Sequence, residues 1–454
     1  MRLRLAPFVS LVSLVLLVPA FEACVGDDAT VDTTPKPVGE DGGGGADGTG
    51  PAGAAVLAIT PAAVSFSTTA PGETSASQPI TITNKGGAVS APVEQAALTG
   101  ANGSSFVIAK DGCVGKALGP ADTCAIDVAF KPAAQGPQVA SLTVGALKAD
   151  VAGTSSFFAP ESTTDGVANS LRSVFVQDAT HVYAVGDNGR AIVSNGTTWS
   201  PQANPAGSNQ LRAVYGSQDG HIYVAGAGPT LIVQNPSTTG FATVTLPAGT
   251  PAINALWATP PGAQQSKVIA MGEGGKWFNF DQGVAPSQLR NYLVTTAVNA
   301  IAGHHTTAGG GTFTLCAGGA NDTIALFASG AGADFLSAYT PLPTGRVLTG
   351  GWTDGTTYVF VGHDSGVGAI SRSTACDATL ASEYTTGPAL AGIWGTAQND
   401  LWAVGAGGTI LHSTAPGVWT KVESGTTKDL RAIYGSSNSN IYVVGDGVIL
   451  HKKS

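Results

Sequence analysis

"LWAVGAGGTILHS", residues 401–413, returns as "VYAVGDNGRAIVS" at 182–194 and as "IYVVGDGVILHKK" at 441–453. A single Gly-rich phrase can be a phosphate loop, which needs a strand, glycines and then a helix N-terminus. Here alternating apolar residues flank the glycines on both sides, so the phrase predicts strand, turn, strand. Its glycines are read as turn formers. "GEGGKW" at 272–277 places Trp277 where a phosphate loop needs Ser or Thr, and is read as the same turn.

Each phrase follows a strand of apolar–x–small–apolar–aromatic type. These strands begin at Leu171, Leu211, Ile253, Val298, Leu348, Leu390 and Leu430. The matching glycines are Gly186, Gly226, Gly272, Gly318, Gly362, Gly405 and Gly445. Seven units at a period of about 42 residues, with four short strands each, predict a β-propeller. Six or eight blades are the alternatives, because units three to five have drifted. An aromatic opens the fourth strand in several units (Trp199, Phe241, Trp419). The seventh unit has three strands, and "SFFAPESTTDG" at 156–166 is expected to supply its fourth and close the ring. The expected fold class is all-β, a β-sandwich followed by a seven-bladed propeller over 154–454.

The rest of the chain sets the context. Arg2 and Arg4 precede an apolar run from Leu5 to Ala20, which reads as a signal peptide over 1–23. "FEAC" ends at Cys24 and resembles a bacterial lipobox, which implies acylation of Cys24 and a membrane partner reached through that lipid. Cleavage after Ala20 is the other reading. Residues 24–55, with "EDGGGGADGTG", cannot bury a core and are expected to act as a tether. No later apolar segment is long enough to span a bilayer. Charged residues make up 11% of the chain, Gly numbers 62 and the net charge is −9, so no basic run can track nucleic-acid phosphates.

Residues 56–153 alternate in "QPITITN", "CAIDVAFKP" and "ASLTVG", as strands of a β-sandwich do. Phe106, Cys113, Leu118, Pro120, Cys124, Ile126, Val128, Phe130 and Pro132 fall on a pattern that resembles the bacterial Ig-like choice-of-anchor D (ASH/HYDIN-like) domains. That resemblance covers about 95 residues and implies a spacer or adhesion module without catalytic residues. "IWGTAQNDLWAVGAGGTILHSTAPGVWTKVESGT" resembles the tandem repeats of BNR, sialidase-like and photosystem II assembly-factor-like propellers in myxobacterial lipoproteins. The resemblance implies a fold. The Asp of the sialidase Asp-box is missing from "SNGTTW" and "STAPGVW".

Five cysteines leave four once Cys24 is lipidated. Cys113 and Cys124 are expected to pair in an oxidising compartment, and Cys316 with Cys376 is the remaining combination. His304 and His305 lack a partner at metal-ligand spacing, and His412 and His451 recur at one repeat position, so neither a metal nor a cofactor is expected. One feature rises above scaffold. The second position of the inner strand reads Arg172, Arg212, Asn254, Asn299, Thr349, Ala391 and Arg431 around the ring. Ring closure makes Arg431, Arg172 and Arg212 neighbours, a positive sector able to hold a carboxylate or an anionic sugar. The alternative is that these arginines tie blades together through Asp or carbonyl oxygens. The expected function is an exported, lipid-anchored envelope protein whose propeller binds a protein or glycan without catalysis. A degenerate glycosidase or lyase propeller and an envelope assembly factor are the rivals.

Overall fold

A computed structural model describes residues 53–164, 169–217, 219–259, 267–281, 290–291, 297–305, 313–319, 324–330, 333–340, 345–376 and 380–452. The signal peptide, Cys24 and nearly all of the tether lie outside them.

Two four-stranded sheets come first. One runs Leu57–Thr60, Gln78–Asn84, Thr123–Phe130, Phe106–Asp111; the other runs Ala63–Ser65, Leu147–Ser155, Gly136–Val144, Ala97–Thr99. Ile80, Ile82, Ile126, Val128, Phe130, Leu142 and Val144 alternate inward from both sheets into one core. This is the period-two pattern of a sandwich faced by water outside. Cys113 and Cys124 are bonded beside that core. The strand Leu147–Ser155 runs past the expected boundary at 153, because Ser155 pairs with Gly136 and bridges Thr69.

Seven further four-stranded antiparallel sheets follow. Their inner strands are Leu171–Val176, Leu211–Gly216, Ile253–Ala258, Val298–His305, Arg346–Thr353, Leu390–Ala397 and Leu430–Ser437. Each packs on the next, and the seventh packs on the first. The fold is a seven-bladed β-propeller. Units three to five hold one complete sheet each, so their drift in sequence leaves the blade count intact. Blade seven takes its outer strand from Phe158–Pro160, which pairs with Val448–Lys452.

The register corrects two sequence expectations. Blade four pairs Val298 with Gly319, so the fourth repeat glycine is Gly319 rather than Gly318. These glycines are also not turn formers. Gly405 has φ −169, extended backbone that any residue adopts. What it lacks room for is a Cβ, which would sit 2.2 Å from the Ala389 carbonyl oxygen. The same collision with the carbonyl just before the inner strand recurs at Gly186, Gly226, Gly272, Gly319, Gly362 and Gly445, at 1.8 to 2.1 Å. The turn itself is made two positions on. Asn188, Gly228, Gly274 and Gly407 have φ of 56, 63, 63 and 62. That left-handed region favours Gly and tolerates Asn.

Cys316 in blade four is bonded to Cys376 in blade five, across a separation of 60 residues. Cross-linking a loop of that length restricts the unfolded chain, for about 4 kcal/mol. Reduction is therefore expected to lower the Tm of the wild type and to leave a Cys316→Ala/Cys376→Ala variant unmoved apart from the Cys113–Cys124 contribution. Calorimetry with and without reductant checks this.

Candidate functional site

The seven inner strands share one irregularity. In every blade the register shifts between the first and third inner-strand positions, at Leu171/Ser173, Leu211/Ala213, Ile253/Ala255, Val298/Ala300, Leu348/Gly350, Leu390/Gly392 and Leu430/Ala432. The residue in the bulge is the second position: Arg172, Arg212, Asn254, Asn299, Thr349, Ala391 and Arg431. A bulged residue leaves the ladder and is re-aimed. All seven border one cup of about 480 Å³, with Gln210, Glu273 and Ala297. The cup leads into a channel of about 380 Å³. Aromatic side chains three positions further along the strands line that channel: Tyr215, Trp257, Trp352, Trp394 and Tyr434. At about 3.3 Å per residue the polar and aromatic rings are about 10 Å apart.

The structure brings the predicted ring residues together but corrects the charge assigned to them. Arg172 donates from Nε and Nη2 to Asp187, at 2.6 and 3.3 Å. Arg431 donates in the same way to Asp446, at 2.5 and 2.8 Å. Arg212 donates from Nη1 to Glu273 at 2.8 Å and to Asn254 at 2.7 Å. Three guanidinium groups thus face three carboxylates, and the mouth is charge-balanced rather than positive. Burial pushes the Asp187 carboxyl up, but hydrogen bonds from Arg172 and Gln210 outweigh it and hold it below its ordinary value. Asp446 is lowered by the hydrogen bond from Arg431, which is itself raised by it.

Two of these pairs lie within one blade, and the third crosses to the next. The repeats explain the difference. Units one and seven place Asp187 and Asp446 directly after their glycine. Unit two has Ala227 there, so Arg212 turns to Glu273 of unit three. Gln210 adds a further crossing: its Nε2 donates to Asp187 at 2.8 Å, while its Oε1 accepts from Arg212 Nε at 3.0 Å. Asn254 continues the line by donating to Asn299 at 3.0 Å. One hydrogen-bonded arc therefore runs Arg172–Asp187–Gln210–Arg212–Asn254–Asn299 over blades one to four. Thr349 instead donates to the backbone carbonyls of Val361 and Leu390, and Ala391 brings no polar group.

Each guanidinium keeps one nitrogen without a protein partner among the described residues: Nη1 of Arg172, Nη2 of Arg212 and Nη1 of Arg431. Their side chains are 31%, 28% and 34% exposed. The arginines are held along one edge and still open to a ligand. The sequence reading missed Gln210, Glu273 and the aromatic ring as parts of the site. It did not assign Asp187 and Asp446 to the ring. The matching Arg and Asp in units one and seven were the available signal.

The repeat histidines hold the blades. His412 stacks on Trp402 at 3.8 Å and meets Asp400 at 3.0 Å. His451 stacks on Tyr442 at 3.8 Å, between Glu161 and Asn440.

No family model and no curated protein matches the chain. Solved propellers do. Virginiamycin B lyase from Staphylococcus aureus aligns at 12% identity with a TM-score of 0.55, covering 65% of this chain and 98% of the lyase. The WD40 propeller domain of Doa1 aligns at 14% and 0.53, covering 66% and 98%. YCF48 bound to D1 peptide aligns at 15% and 0.50, covering 65% and 95%. The likeness is one of fold. An enzyme, a WD40 domain and a peptide-bound protein share this architecture, so the function of this chain has to be argued from its own residues.

Proposed function

We propose that this chain is an exported, lipid-anchored envelope protein whose propeller binds an extended protein segment at the channel mouth without transforming it. The observation that carries the reading is the set of three arginines on one cup, Arg172, Arg212 and Arg431, each fixed by a carboxylate and each keeping one nitrogen without a protein partner among the described residues. Fixed side chains lose little entropy on binding. Balanced charge favours a partner that brings both donors and acceptors, as a peptide backbone does, over a simple anion. The aromatic ring below suits an apolar side chain. YCF48, solved with the D1 peptide, supports the idea that a propeller of this shape can carry a peptide. The "FEAC" motif at Cys24 and the Gly-rich tether support the anchored address.

Peptides selected from a random phage-displayed library on the immobilised mature chain are expected to lose about tenfold in affinity on Arg212→Ala, the cost of one buried charged contact. Arg431→Lys, which keeps charge but loses the fork, is expected to weaken the same peptides less. Peptides indifferent to both changes, or turnover of chromogenic glycosides, would count against this reading. Mass spectrometry of the mature N-terminus tests the anchor: a diacylglyceryl-modified Cys24 is expected, and an unmodified start at Phe21 would remove it.

A further inference from the structure

On the flank of the ring, away from the mouth, a groove of about 420 Å³ separates blades one and two. Blade one contributes Gln177, Asp178, Tyr183 and Gln202, and blade two contributes Gln234 and Asn235. Four of these six are carboxamides. The side-chain amides of Gln177 and Asn235 have no hydrogen-bond partner among the described residues. Gln202 uses Nε2 on the carbonyl of Thr239, which leaves its Oε1 open, and Gln234 uses Nε2 on that of Thr238. Gln234 Oε1 is buried without any partner. The Tyr183 hydroxyl, at the end of a buried ring, has no hydrogen-bond partner among the described residues.

The open groups therefore mix donors and acceptors, and the lining contains no Lys or Arg among the described residues; its one basic side chain, His181, already faces Asp178. A phosphate, sulfate or carboxylate would find no guanidinium or ammonium here to match its charge. An apolar ligand would desolvate the Gln177 and Asn235 amides without pairing them, at a cost of about 1–3 kcal/mol each. A hard cation needs six or more oxygens. The single carboxylate, Asp178, is already turned to Thr180 and His181, at 2.7 to 3.0 Å. A neutral polyol fits, because each hydroxyl both donates and accepts. We propose that this groove between blades one and two is a binding site for a neutral sugar, independent of the peptide site at the mouth. Gln202, which bonds across from blade one to the loop after Gln234, fixes the width of the groove.

The test uses the mature chain on an array of neutral and acidic glycans, followed by titration of the strongest neutral binder. A neutral oligosaccharide is expected to bind at about millimolar Kd. Gln177→Ala/Asn235→Ala removes two amides that bond nothing in the protein, so the fold is kept, as an unchanged Tm will show. This variant is expected to weaken the sugar at least about tenfold, while Arg212→Ala leaves sugar binding unchanged. Absence of neutral binders, preference for acidic glycans, or equal affinity in the double variant would overturn the proposal. Loss of peptide binding with sugar binding retained would leave it standing and remove only the mouth reading.

Discussion

Gly405→Val is expected to cost about 5 kcal/mol, at the upper end of what one substitution does. The loss is steric. Gly405 sits opposite Leu390, where the inner strand of blade six bulges, and a Cβ would meet the Ala389 oxygen at 2.2 Å and the Leu390 Cα at 2.8 Å. Backbone on both sides cannot swing away as a side-chain tip can. Even Gly405→Ala must separate the two strands or lose the bulge. The neighbouring Gly407 provides the control. A Cβ there meets nothing within 4 Å, but φ is +62. Gly407→Ala is therefore expected to cost about 1 kcal/mol through strain. Gly407→Asn should cost less, because Asn188 holds the same turn in blade one at φ 56. Urea denaturation of the three variants checks the ranking. Equal losses at 405 and 407 would show that the repeat glycines are there for turn geometry after all.

That ranking marks where sequence reading reached and where it stopped. The inner strands were legible because a half-buried strand alternates, and seven copies average out the drift in any one of them. The glycine spacing was legible for the same reason. Its purpose was not, because a gap too small for a Cβ lies between two strands and leaves no local signal. Blade four shows the limit: "CAGGA" offers Gly318 and Gly319, and only the register selects the second. At the mouth, position along the strand gave the ring of Arg172, Arg212 and Arg431 but not its charge. Charge depends on Asp187, Asp446 and Glu273, which arrive from turns and, for Glu273, from the next blade. The groove between blades one and two takes its carboxamides (Gln177, Gln202, Gln234, Asn235) from places in the two units that do not correspond, so nothing in the period points to it.

Phe158→Ala is expected to cost about 4 kcal/mol, the usual loss for a large aromatic cut from a full core. It should also do something that an equal cut elsewhere does not. Phe158 is fully buried, with its ring 5.5 Å from Trp402 in an edge-on contact, among Val404, Ile410, Ile441 and Leu450. Its strand is the outer strand of blade seven, held by pairing of Pro160, Ala159 and Phe158 with Leu450, His451 and Lys452. Glu161, just beyond, takes Trp199 Nε1 at 2.7 Å and meets His451 Nδ1 at 2.8 Å, which joins blade seven to blade one. A segment distant in sequence from blade seven thus supplies both its last strand and its link around the ring. Loosening it exposes the Val448–Lys452 edge, and a long-range closure of this kind is where a ring opens first. Phe278→Ala in blade three, an equally buried phenylalanine, is the comparison. Both variants should lower the denaturation midpoint. Only Phe158→Ala should strip hydrogen-exchange protection from the amides of 448–452 under native conditions. Retained protection there would mean that contacts between the inner strands hold the ring shut without the borrowed strand.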